Sequence, residues 1–372
     1  MVLLVYCTFI LALLVLALIS IYFIWEMIAE KVSISFKAKK KKKIESLMQK
    51  HLQYERIKEI PKEEIEEVKK ITHSKFGLEM FYHCVKQYEE ERGFDQRIKE
   101  YISRIIDYQL ILKNKIVKER YQFSYVLFLM AEFRMFEYYN RDMLLEALNH
   151  KSMYVRNNAL RVISFSGDYD LYFEALKFID GSDRYYGEKI LIDSMGSCCY
   201  ACKAFNERIS MDMQEFSSGM KALLVSHFRN FNYQDTVLAE TLLKFLESGD
   251  KELQLSAAKY FGSIYVEEAG KQMLAHLKHE EWEIRAVSAR NLRNYNSIKV
   301  RKALMEALKD PVWYVRYNAA FSLIRICNEE KEYLQVINGE DSFAKNILIY
   351  AMFEFGKINY EQYLAMVGGE AE

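Results

Sequence analysis

Residues 305–320 have the sequence MEALKDPVWYVRYNAA, and residues 145–160 have the sequence LEALNHKSMYVRNNAL. Both stretches contain Glu-Ala-Leu, then Tyr-Val-Arg, then Asn-Ala, at the same offsets. A third copy, residues 274–289, reads LAHLKHEEWEIRAVSA. Self-similarity at a fixed spacing is typical of repeat proteins, in which each copy is one small structural unit. Residues 305–320 and their copies therefore indicate a repeat architecture.

The core of each copy is an apolar residue, a small residue four positions later and a bulky apolar residue eight positions later. The pattern occurs at Val155/Ala159/Ile163, Leu253/Ala257/Phe261, Ile284/Ser288/Leu292, Val315/Ala319/Leu323 and Ile347/Ala351/Phe355, with weaker copies at Ile190/Ser194/Cys198 and Met220/Leu224/Phe228. The last four strong copies start 31, 31 and 32 residues apart. The pattern predicts about seven units between residues 141 and 365.

This spacing predicts a helical hairpin as the unit. Residues at i, i+4 and i+8 form one stripe on a helix, and a small residue in the middle of the stripe lets a neighbouring helix approach closely. Asp310 is expected to be the N-cap of the second helix, with Pro311 at its first position. One hairpin cannot bury its apolar face alone, so neighbouring hairpins must stack. We therefore predict an all-α fold, with an α-solenoid of stacked helical hairpins over residues 141–372.

The repeat resembles the HEAT repeat family in its short bacterial form. The resemblance depends on Tyr154-Val155-Arg156, Ile284-Arg285 and Tyr314-Val315-Arg316, each followed by its small-residue position, and it covers about 60% of the chain. Proteins of this family typically bind other proteins along their extended surface. The resemblance therefore implies a protein-binding solenoid.

The family often pairs an Asp with an Arg six residues later, in a ladder that runs along the stack. Asp310 and Arg316 match this pattern, whereas Arg156 and Arg285 have a His at the Asp position. The resemblance therefore implies a partial ladder formed by Arg156, Arg285, Asp310 and Arg316. We interpret these residues as structural rather than ligand-binding.

Composition supports a helical fold. The chain of 372 residues has only 14 Gly and 2 Pro, too few for the turns of a β-sandwich or barrel. Its six cysteines are too sparse for a disulfide framework and indicate a reducing compartment. Half of the residues are apolar, which excludes a disordered tail protein. The high Lys, Ile and Tyr content is typical of a bacterial genome of low GC content.

The amino-terminal segment predicts a membrane anchor. Val2–Trp25 contains no charged residue, and as a helix it would be roughly 36 Å long, against a bilayer core of about 30 Å. The alternatives are a cleaved signal peptide and a buried core helix, but a signal peptide would need a basic residue before the apolar run, and none is present. We therefore predict a transmembrane helix over residues 1–25.

The flanking charges predict the orientation of this anchor. Residues 31–43 carry seven Lys and no acidic residue. The positive-inside rule then places the amino terminus outside the cell membrane and the body in the cytoplasm. The membrane-surface residues are Lys37, Lys39, Lys40, Lys41, Lys42 and Lys43. They could hold anionic lipid head groups, or they could only fix the topology.

Two further segments connect the anchor to the repeats. Residues 26–60 form a basic juxtamembrane segment followed by a helix. Pro61 ends this segment, and residues 61–140 contain several amphipathic stripes, which predict a helical region before the repeats.

The sequence contains few patterns that indicate chemistry. Cys198, Cys199 and Cys202 lack the second pair of ligands that a zinc site requires. His276 and His279 have a chelating spacing, but no third ligand accompanies them. Phosphate-binding loops, dinucleotide-binding glycines and a nucleophile elbow are all missing from the sequence. We therefore predict no metal, no cofactor and no enzymatic activity.

Four aromatic residues are candidates for partner binding. Tyr154, Trp282, Trp313 and Tyr314 lie just before the key apolar residue of their repeats, where the second helix begins. A row of aromatics at that rim could be an interface hot spot. Alternatively, these side chains could cap the turn and pack on the next repeat.

The sequence thus predicts a single-pass membrane scaffold that binds a protein partner, itself membrane-associated, through its cytoplasmic solenoid. One alternative is an enzyme or accessory subunit of the kind that helical-repeat lyases represent. A second alternative is a module that binds anionic lipid. Outside residues 1–43 the chain has 45 Lys and Arg against 50 Asp and Glu, which argues against nucleic acid as a partner.

Overall fold

The computed structural model describes residues 2–106, 121–136, 140–198, 203–327 and 331–368; within them, the side chains of 2–14, 29, 32, 33, 75, 121, 122, 331, 332 and 368 are not described. All regular structure in these ranges is helical. The chain divides into a first unit, Met1–Val162, and a second unit, Ile163–Glu372.

The first unit begins with one long helix that covers both the uncharged segment and the lysine run. Its helices are α1 (Val2–His51), α2 (Lys62–Thr72), α3 (Lys75–Arg92), α4 (Gln96–Ile105), α5 (Tyr121–Glu132), α6 (Arg141–Leu148) and α7 (Met153–Phe165), the last of which ends in the second unit. The carboxyl-terminal part of α1 packs on α2 and α3, where Ile44 and Met48 are buried. Lysines interrupt the apolar sequence of α1 without interrupting the helix, because Lys is a good helix former.

Side chains described on the amino-terminal half of α1 include many exposed apolar groups. From Val15 to Ile28, large apolar residues on every side of the helix are exposed, with Trp25 at 68%. Among the residues whose side chains are described, no helical stretch is both long and apolar enough to cross a membrane. This finding does not cover the whole predicted transmembrane span at residues 2–25, because the side chains of residues 2–14 are not described.

The second unit is a series of helical hairpins. Its helices are α8 (Tyr169–Asp180), α9 (Glu188–Cys198), α10 (Lys203–Asp212), α11 (Ser218–Asn230), α12 (Thr236–Leu246), α13 (Lys251–Phe261), α14 (Glu267–His276), α15 (Trp282–Asn291), α16 (Ile298–Ala307), α17 (Trp313–Ile326), α18 (Lys331–Ile337), α19 (Ser342–Glu354) and α20 (Tyr360–Gly368). Polar N-caps define many of these starts, because their side chains accept a backbone N–H that the helix leaves unpaired. Such caps are Asp168, Ser217, Asp235, Asp250, Ser297 and Asp341.

The packing order of these helices is that of an α-solenoid. The second helices of successive hairpins stack directly, α9 on α11, α11 on α13, α13 on α15, α15 on α17 and α17 on α19. Each of α13, α15, α17 and α19 also packs on the first helix of its own hairpin. The all-α solenoid predicted from the repeat is therefore present.

The apolar stripes of the repeats form the core of the stack. Val315, Ala319 and Leu323 are fully buried, and the stripes that begin at Leu253 and Ile284 are buried along their whole length. Two predicted core positions differ: Ile190 and Phe355 are exposed. Phe355 follows the last residue of α19, so it is no longer held on the buried face of that helix.

Close approach between hairpins depends on small residues. A Cβ built on Gly270 would overlap the ring of Tyr295, and one built on Gly262 would overlap the side chain of Asn291. The hydroxyl of Tyr295 also donates to the carbonyl of Phe261 at 2.9 Å. A methyl group at either glycine would therefore force neighbouring hairpins apart.

One predicted helix start is displaced. Asp310 was expected to be the N-cap of its helix, but α17 begins at Trp313 with Val312 as its N-cap residue. The carboxylate of Asp310 instead accepts the N–H of Val312 at 2.9 Å, in a turn that precedes the helix. Proline at 311 therefore lies in that turn, where its fixed φ is equally well suited.

Candidate partner-binding surface

An aromatic row follows one face of α17, on which Trp313 is exposed and Tyr317 and Phe321 are half-buried. The rings of Trp313 and Tyr317 are stacked with centroids 5.0 Å apart, and those of Tyr317 and Phe321 with centroids 4.2 Å apart. The three residues are four apart, so they share one face of the helix. They are offset by two positions from the buried stripe that begins at Val315, which places them on the opposite side. We call Trp313, Tyr317 and Phe321 the aromatic row.

Three of the four predicted partner-binding residues meet at one end of this row. Trp282, the first residue of α15, stacks on Tyr314 with centroids 5.6 Å apart, and Tyr314 contacts Trp313 edge to face at 5.2 Å. Their exposures are 38% for Trp282, 58% for Tyr314 and 55% for Trp313. These rings therefore pack between successive repeats, as the second alternative predicts, and part of their surface stays accessible. Tyr154 belongs to the first unit, where it is 67% exposed.

The next hairpin extends the aromatic surface. Phe321 contacts Tyr350 and Phe355, with centroids 6.0 and 5.7 Å away. Between α17 and α19 is an open groove of about 320 Å³, whose lining includes Trp313, Arg316, Phe343 and Tyr350. Tyr317 and Phe321 were not identified from the sequence, although their four-residue spacing after Trp313 was a signal that could have found them. Phe343 and Tyr350 were not identified either, and Phe355 was predicted to be a core residue.

Three arginines lie at the other end of α15 and α17. Arg290 and Arg325 are exposed in the last turns of α15 and α17, and Arg293 is half-buried in the 3₁₀ turn Leu292–Asn294. The hydroxyl of Ser322 donates to the carbonyl of Arg290 at 3.2 Å, which ties the two helix ends together. We call Arg290, Arg293 and Arg325 the arginine cluster. The cluster was not predicted from the sequence, because Arg325 belongs to a different repeat from Arg290 and Arg293.

The predicted ladder has a different geometry from the expected one. Arg156 and Arg285 each donate from Nη1 to the carbonyl six residues earlier, at 2.9 and 2.8 Å, and Nε of Arg316 donates to the carbonyl of Asp310. The bond within a repeat therefore goes to the backbone and does not require an acidic residue. The carboxylate of Asp310 pairs with the previous repeat instead, accepting from Nε of Arg285 at 2.7 Å and from Nη2 at 3.1 Å.

The residue at the Asp position has a second function in the turn. Nδ1 of His150 and Nδ1 of His279 each accept the backbone N–H two residues later at 3.0 Å, as the carboxylate of Asp310 does at 2.9 Å. An unprotonated imidazole nitrogen can thus replace a carboxylate oxygen as the acceptor. This substitution explains why a repeat with His at this position keeps its turn.

The Asn of the repeated Asn-Ala pair also has a shared role. Asn158 donates from Nδ2 to the carbonyl of Ser124 at 2.9 Å, and Asn318 donates to the carbonyl of Ala286 at 3.0 Å. Ser124 lies on α5 and Ala286 on α15, so each Asn side chain joins its helix to an earlier one. The Arg of the repeated Tyr-Val-Arg instead bonds within its own repeat, as Arg156 and Arg316 do.

The predicted membrane-surface lysines are on α1 and have varied surroundings. Lys37 and Lys40 lie over the ring of Phe76, at 5.2 and 5.9 Å from its centroid. Lys41 is 3.5 Å from Glu45 and Lys43 is 2.7 Å from Glu67. Lys39 and Lys42 are exposed. Four of the six thus contact protein groups.

The residues considered for metal binding are not gathered into a site in the part of the chain that is described. Cys198 is buried, and Cys199 and Cys202 lie outside the described residues. The rings of His276 and His279 are 5.8 Å apart, and burial lowers the pKa of His276 with a further contribution from His279. Groups of three or more possible ligands do not occur among the described side chains.

A buried hydrogen-bond chain joins three helices of the first unit. Nε2 of His51 lies 3.1 Å from Oε2 of Glu64, and Nδ1 of His51 lies 3.0 Å from the hydroxyl of Tyr101. Burial lowers the pKa of His51, and the hydrogen bond from Lys50 lowers the pKa of Glu64. Because His51 and Tyr101 have no exposed surface, this chain holds α1, α2 and α4 together rather than presenting groups to a substrate.

Comparison with known proteins identifies the repeats. Residues 239–324 and 270–338 match the model of HEAT repeats, so this part of the second unit consists of HEAT repeats. A search of curated proteins found no match.

Solved structures give distant likenesses. An engineered protein is 15% identical, with a TM-score of 0.36 over 88% of this chain and 91% of its own. Human deoxyhypusine hydroxylase in complex with glycerol is 17% identical, with a TM-score of 0.30 over 72% of this chain and 97% of its own. A second engineered protein is 14% identical, with a TM-score of 0.24 over 70% and 96% of the two chains. These scores are too low to support a shared function.

Proposed function

From the HEAT repeats at residues 239–338, we propose that this chain is a scaffold that binds a protein partner and does not itself catalyse a reaction. The observation that carries the proposal is the aromatic surface on α15, α17 and α19. Contiguous exposed apolar patches mark interaction sites, and Trp and Tyr are enriched at protein interfaces. Trp282, Trp313 and Tyr314 keep more than a third of their surface exposed despite their mutual stacking. They are the residues expected to contribute most to binding.

We also propose that the amino-terminal part of α1 anchors the chain in the cell membrane. Val2–Trp25 is uncharged, and the apolar side chains from Val15 to Ile28 are exposed around the helix. A helix that is apolar all round needs an apolar environment, either a protein core or a bilayer. Other described elements do not cover these side chains, which favours the bilayer.

In this proposal, the lysines of α1 favour a cytoplasmic location for the part of the chain that follows the anchor. For a helix perpendicular to the bilayer, Lys37 would lie about 18 Å beyond Trp25, at 1.5 Å per residue. This is further than the physiological Debye length of about 8 Å, so tight binding of lipid head groups is not expected. The lysine run would thus act mainly by fixing orientation. In that arrangement α1 would hold the first unit at a set distance from the bilayer.

Site-specific photocrosslinking in living cells tests the scaffold. A photoreactive phenylalanine analogue replaces Tyr314, and the matched control replaces Tyr185, which is 83% exposed and outside the aromatic surface. We expect one discrete membrane-associated protein crosslinked from position 314 and not from 185, and its loss in the Trp282→Ala/Trp313→Ala double variant. Equal yields from both positions, or no adduct from either, would contradict the proposal.

Cysteine labelling in intact cells tests the anchor and its orientation. A membrane-impermeant maleimide should label Val2→Cys without cell lysis, whereas Tyr360→Cys should react only after lysis. Alkaline carbonate should leave the full chain in the membrane fraction. Extraction by carbonate, or labelling of Tyr360→Cys in intact cells, would exclude the proposed topology.

A further inference from the structure

The aromatic row continues directly into the arginine cluster. Arg325 lies four residues after Phe321, so Trp313, Tyr317, Phe321 and Arg325 occupy one face of α17 in sequence. Arg290 of α15 lies beside this face, since its carbonyl accepts the hydrogen bond from Ser322. One continuous surface therefore changes from aromatic to cationic along a single helix.

The arginine cluster lacks acidic partners within the described residues. The ion pairs found there do not include Arg290, Arg293 or Arg325, and Nε of Arg293 is buried without a hydrogen-bond partner. Burial lowers the pKa of Arg293, and the nearby Arg325 and Arg290 lower it further. Cations near the carboxyl-terminal ends of helices are favoured by the helix dipole, which explains Arg290 and Arg325 taken singly. The dipole does not explain why the buried Nε of Arg293 has no hydrogen-bond partner among the described residues.

The opposite end of the surface has an apolar recess. The groove of about 320 Å³ between α17 and α19 is open, and Phe343 at its edge is 72% exposed. This volume is at the lower end of the range for binding pockets, which suits one large apolar side chain. The guanidinium of Arg316 lies over the ring of Phe343, 5.2 Å from its centroid, and forms one wall.

The distance between the two ends sets the length of a bound segment. Trp313 and Arg325 are twelve residues apart on α17, which is about 18 Å along the helix. An extended peptide advances about 3.3 Å per residue, so five to six residues span this distance.

We propose, as a refinement of the proposed scaffold function on which this inference rests, that the surface binds an extended acidic segment of the partner. A large apolar side chain of the segment occupies the groove at Trp313 and Phe343. Carboxylates five to six residues away pair with Arg290, Arg293 and Arg325. Arginine suits this role because its planar group binds a carboxylate through two parallel hydrogen bonds.

Charge on the rest of the molecule favours a short acidic peptide over nucleic acid. Outside residues 1–43 the chain has five more acidic than basic residues, so a long polyanion would be repelled beyond the cluster. A peptide that carries acidic groups only at one end fits this charge distribution, because those groups would meet the arginine cluster and no others would meet the acidic remainder of the chain.

Fluorescence anisotropy with synthetic peptides tests the proposal on the full-length chain in detergent micelles. The probe is a fluorescein-labelled peptide with one Phe, four Gly or Ser residues, and then three Glu. Control peptides replace the three Glu with Gln, replace Phe with Gly, or shorten the spacer to one residue. We expect each control peptide to bind at least about tenfold more weakly than the probe, and the affinity for the probe to fall steeply with added salt.

Matched variants assign the binding to this surface. Arg290→Ala/Arg325→Ala removes two exposed charges and is expected to weaken binding of the probe at least about tenfold. Lys299→Ala/Lys302→Ala removes two exposed charges from α16 of the same hairpin and should leave affinity within about twofold. Phe321→Ala should weaken binding while keeping its salt dependence. Unchanged circular dichroism melting confirms that each variant is folded.

Several outcomes would overturn the inference. One is that the wild-type chain binds the Glu and Gln peptides with equal affinity. Another is that the Arg290→Ala/Arg325→Ala variant binds the probe as tightly as the wild type does. A third is that a single-stranded DNA oligonucleotide of the same charge binds more tightly than the probe. If no peptide binds while Tyr314 still crosslinks a discrete partner in cells, the acidic-segment inference fails and the scaffold proposal remains. If both experiments fail, the scaffold proposal fails as well.

Discussion

Replacing Arg285 with Ala is expected to uncouple two successive hairpins of the solenoid. Its guanidinium makes two hydrogen bonds to the carboxylate of Asp310, at 2.7 and 3.1 Å, and donates to the carbonyls of His279 and Glu280, each at 2.8 Å. The side chains of Arg285 and Asp310 are only 13% and 9% exposed. This residue therefore closes the turn of its own repeat and binds the next one.

The burial of the Arg285–Asp310 ion pair sets the expected loss in the free energy of unfolding. Breaking a buried ion pair by removing one partner typically costs 3–5 kcal/mol, because the other charge is left without compensation. Since both side chains keep some exposure, we expect Arg285→Ala and Asp310→Ala each to lower the free energy of unfolding by about 3 kcal/mol. The double variant should lose only about 4 kcal/mol, which leaves a coupling energy of about 2 kcal/mol. Arg285→Lys should recover little, because lysine cannot form the two parallel bonds.

Urea unfolding followed by tryptophan fluorescence measures this effect, since Trp282 and Trp313 begin the two helices on either side of the pair. Hydrogen exchange of α17 shows whether the loss is local to that junction, as expected for a repeat protein. Arg290→Ala, on the same helix and without an ion pair to any described residue, is the control and should change stability by less than about 0.5 kcal/mol. A coupling energy near zero, or an Arg285→Ala effect no larger than that of the control, would refute this account of the ladder.

Three further outcomes are expected. Burial lowers the pKa of His227 to about 4, so the stability that depends on its neutral form is complete above about pH 6.5 and is lost as the pH falls through 4, by about 3 kcal/mol. The difference in urea stability between the wild type and His227→Gln should show this pH dependence, and parallel curves would contradict it. Gly262→Ala should destabilise by about 2 kcal/mol because its methyl group would overlap Asn291, whereas Gly249→Ala, with open space around it, should be nearly neutral in the same urea assay. Burial raises the pKa of the Cys84 thiol to about 12, so mass spectrometry should find it unmodified by iodoacetamide at pH 8 until urea unfolds the chain, and rapid native labelling would contradict its burial.

The hairpin architecture was predictable because a small residue recurs at one position of most repeats. Ala257, Ser288, Ala319 and Ala351 are all buried there, whereas one weaker copy has the larger Leu224, which is also buried in a helix that stacks on its neighbour. The small residue recurs while the rest of the repeat varies, so it is visible in a single sequence. Sequence also located Trp282, Trp313 and Tyr314 at one rim, since they directly precede the buried stripe.

The proposed binding surface was only partly predictable, because it consists of residues that the core does not use. On α17 the stripes starting at Trp313 and Val315 have the same four-residue spacing, and both are apolar. Only the small Ala319 distinguishes the buried stripe from the partly exposed one. The arginine cluster was harder to find, since Arg290, Arg293 and Arg325 occupy non-equivalent repeat positions and meet only because α15 packs on α17.

The ladder and the proposed groove are physically connected. The carboxylate of Asp310 holds Arg285 of the preceding hairpin, its carbonyl accepts from Arg316, and Arg316 lies over Phe343 at the groove edge. Arg285 would therefore be a positioning residue for the groove without touching its ligand. If so, Arg285→Ala should weaken probe binding while leaving its salt dependence intact, because the charge contacts lie at the arginine cluster, at the far end of α17. A loss of salt dependence in that variant would instead mean that Arg285 contacts the acidic end of the peptide, and the assigned direction of the bound segment along α17 would be reversed.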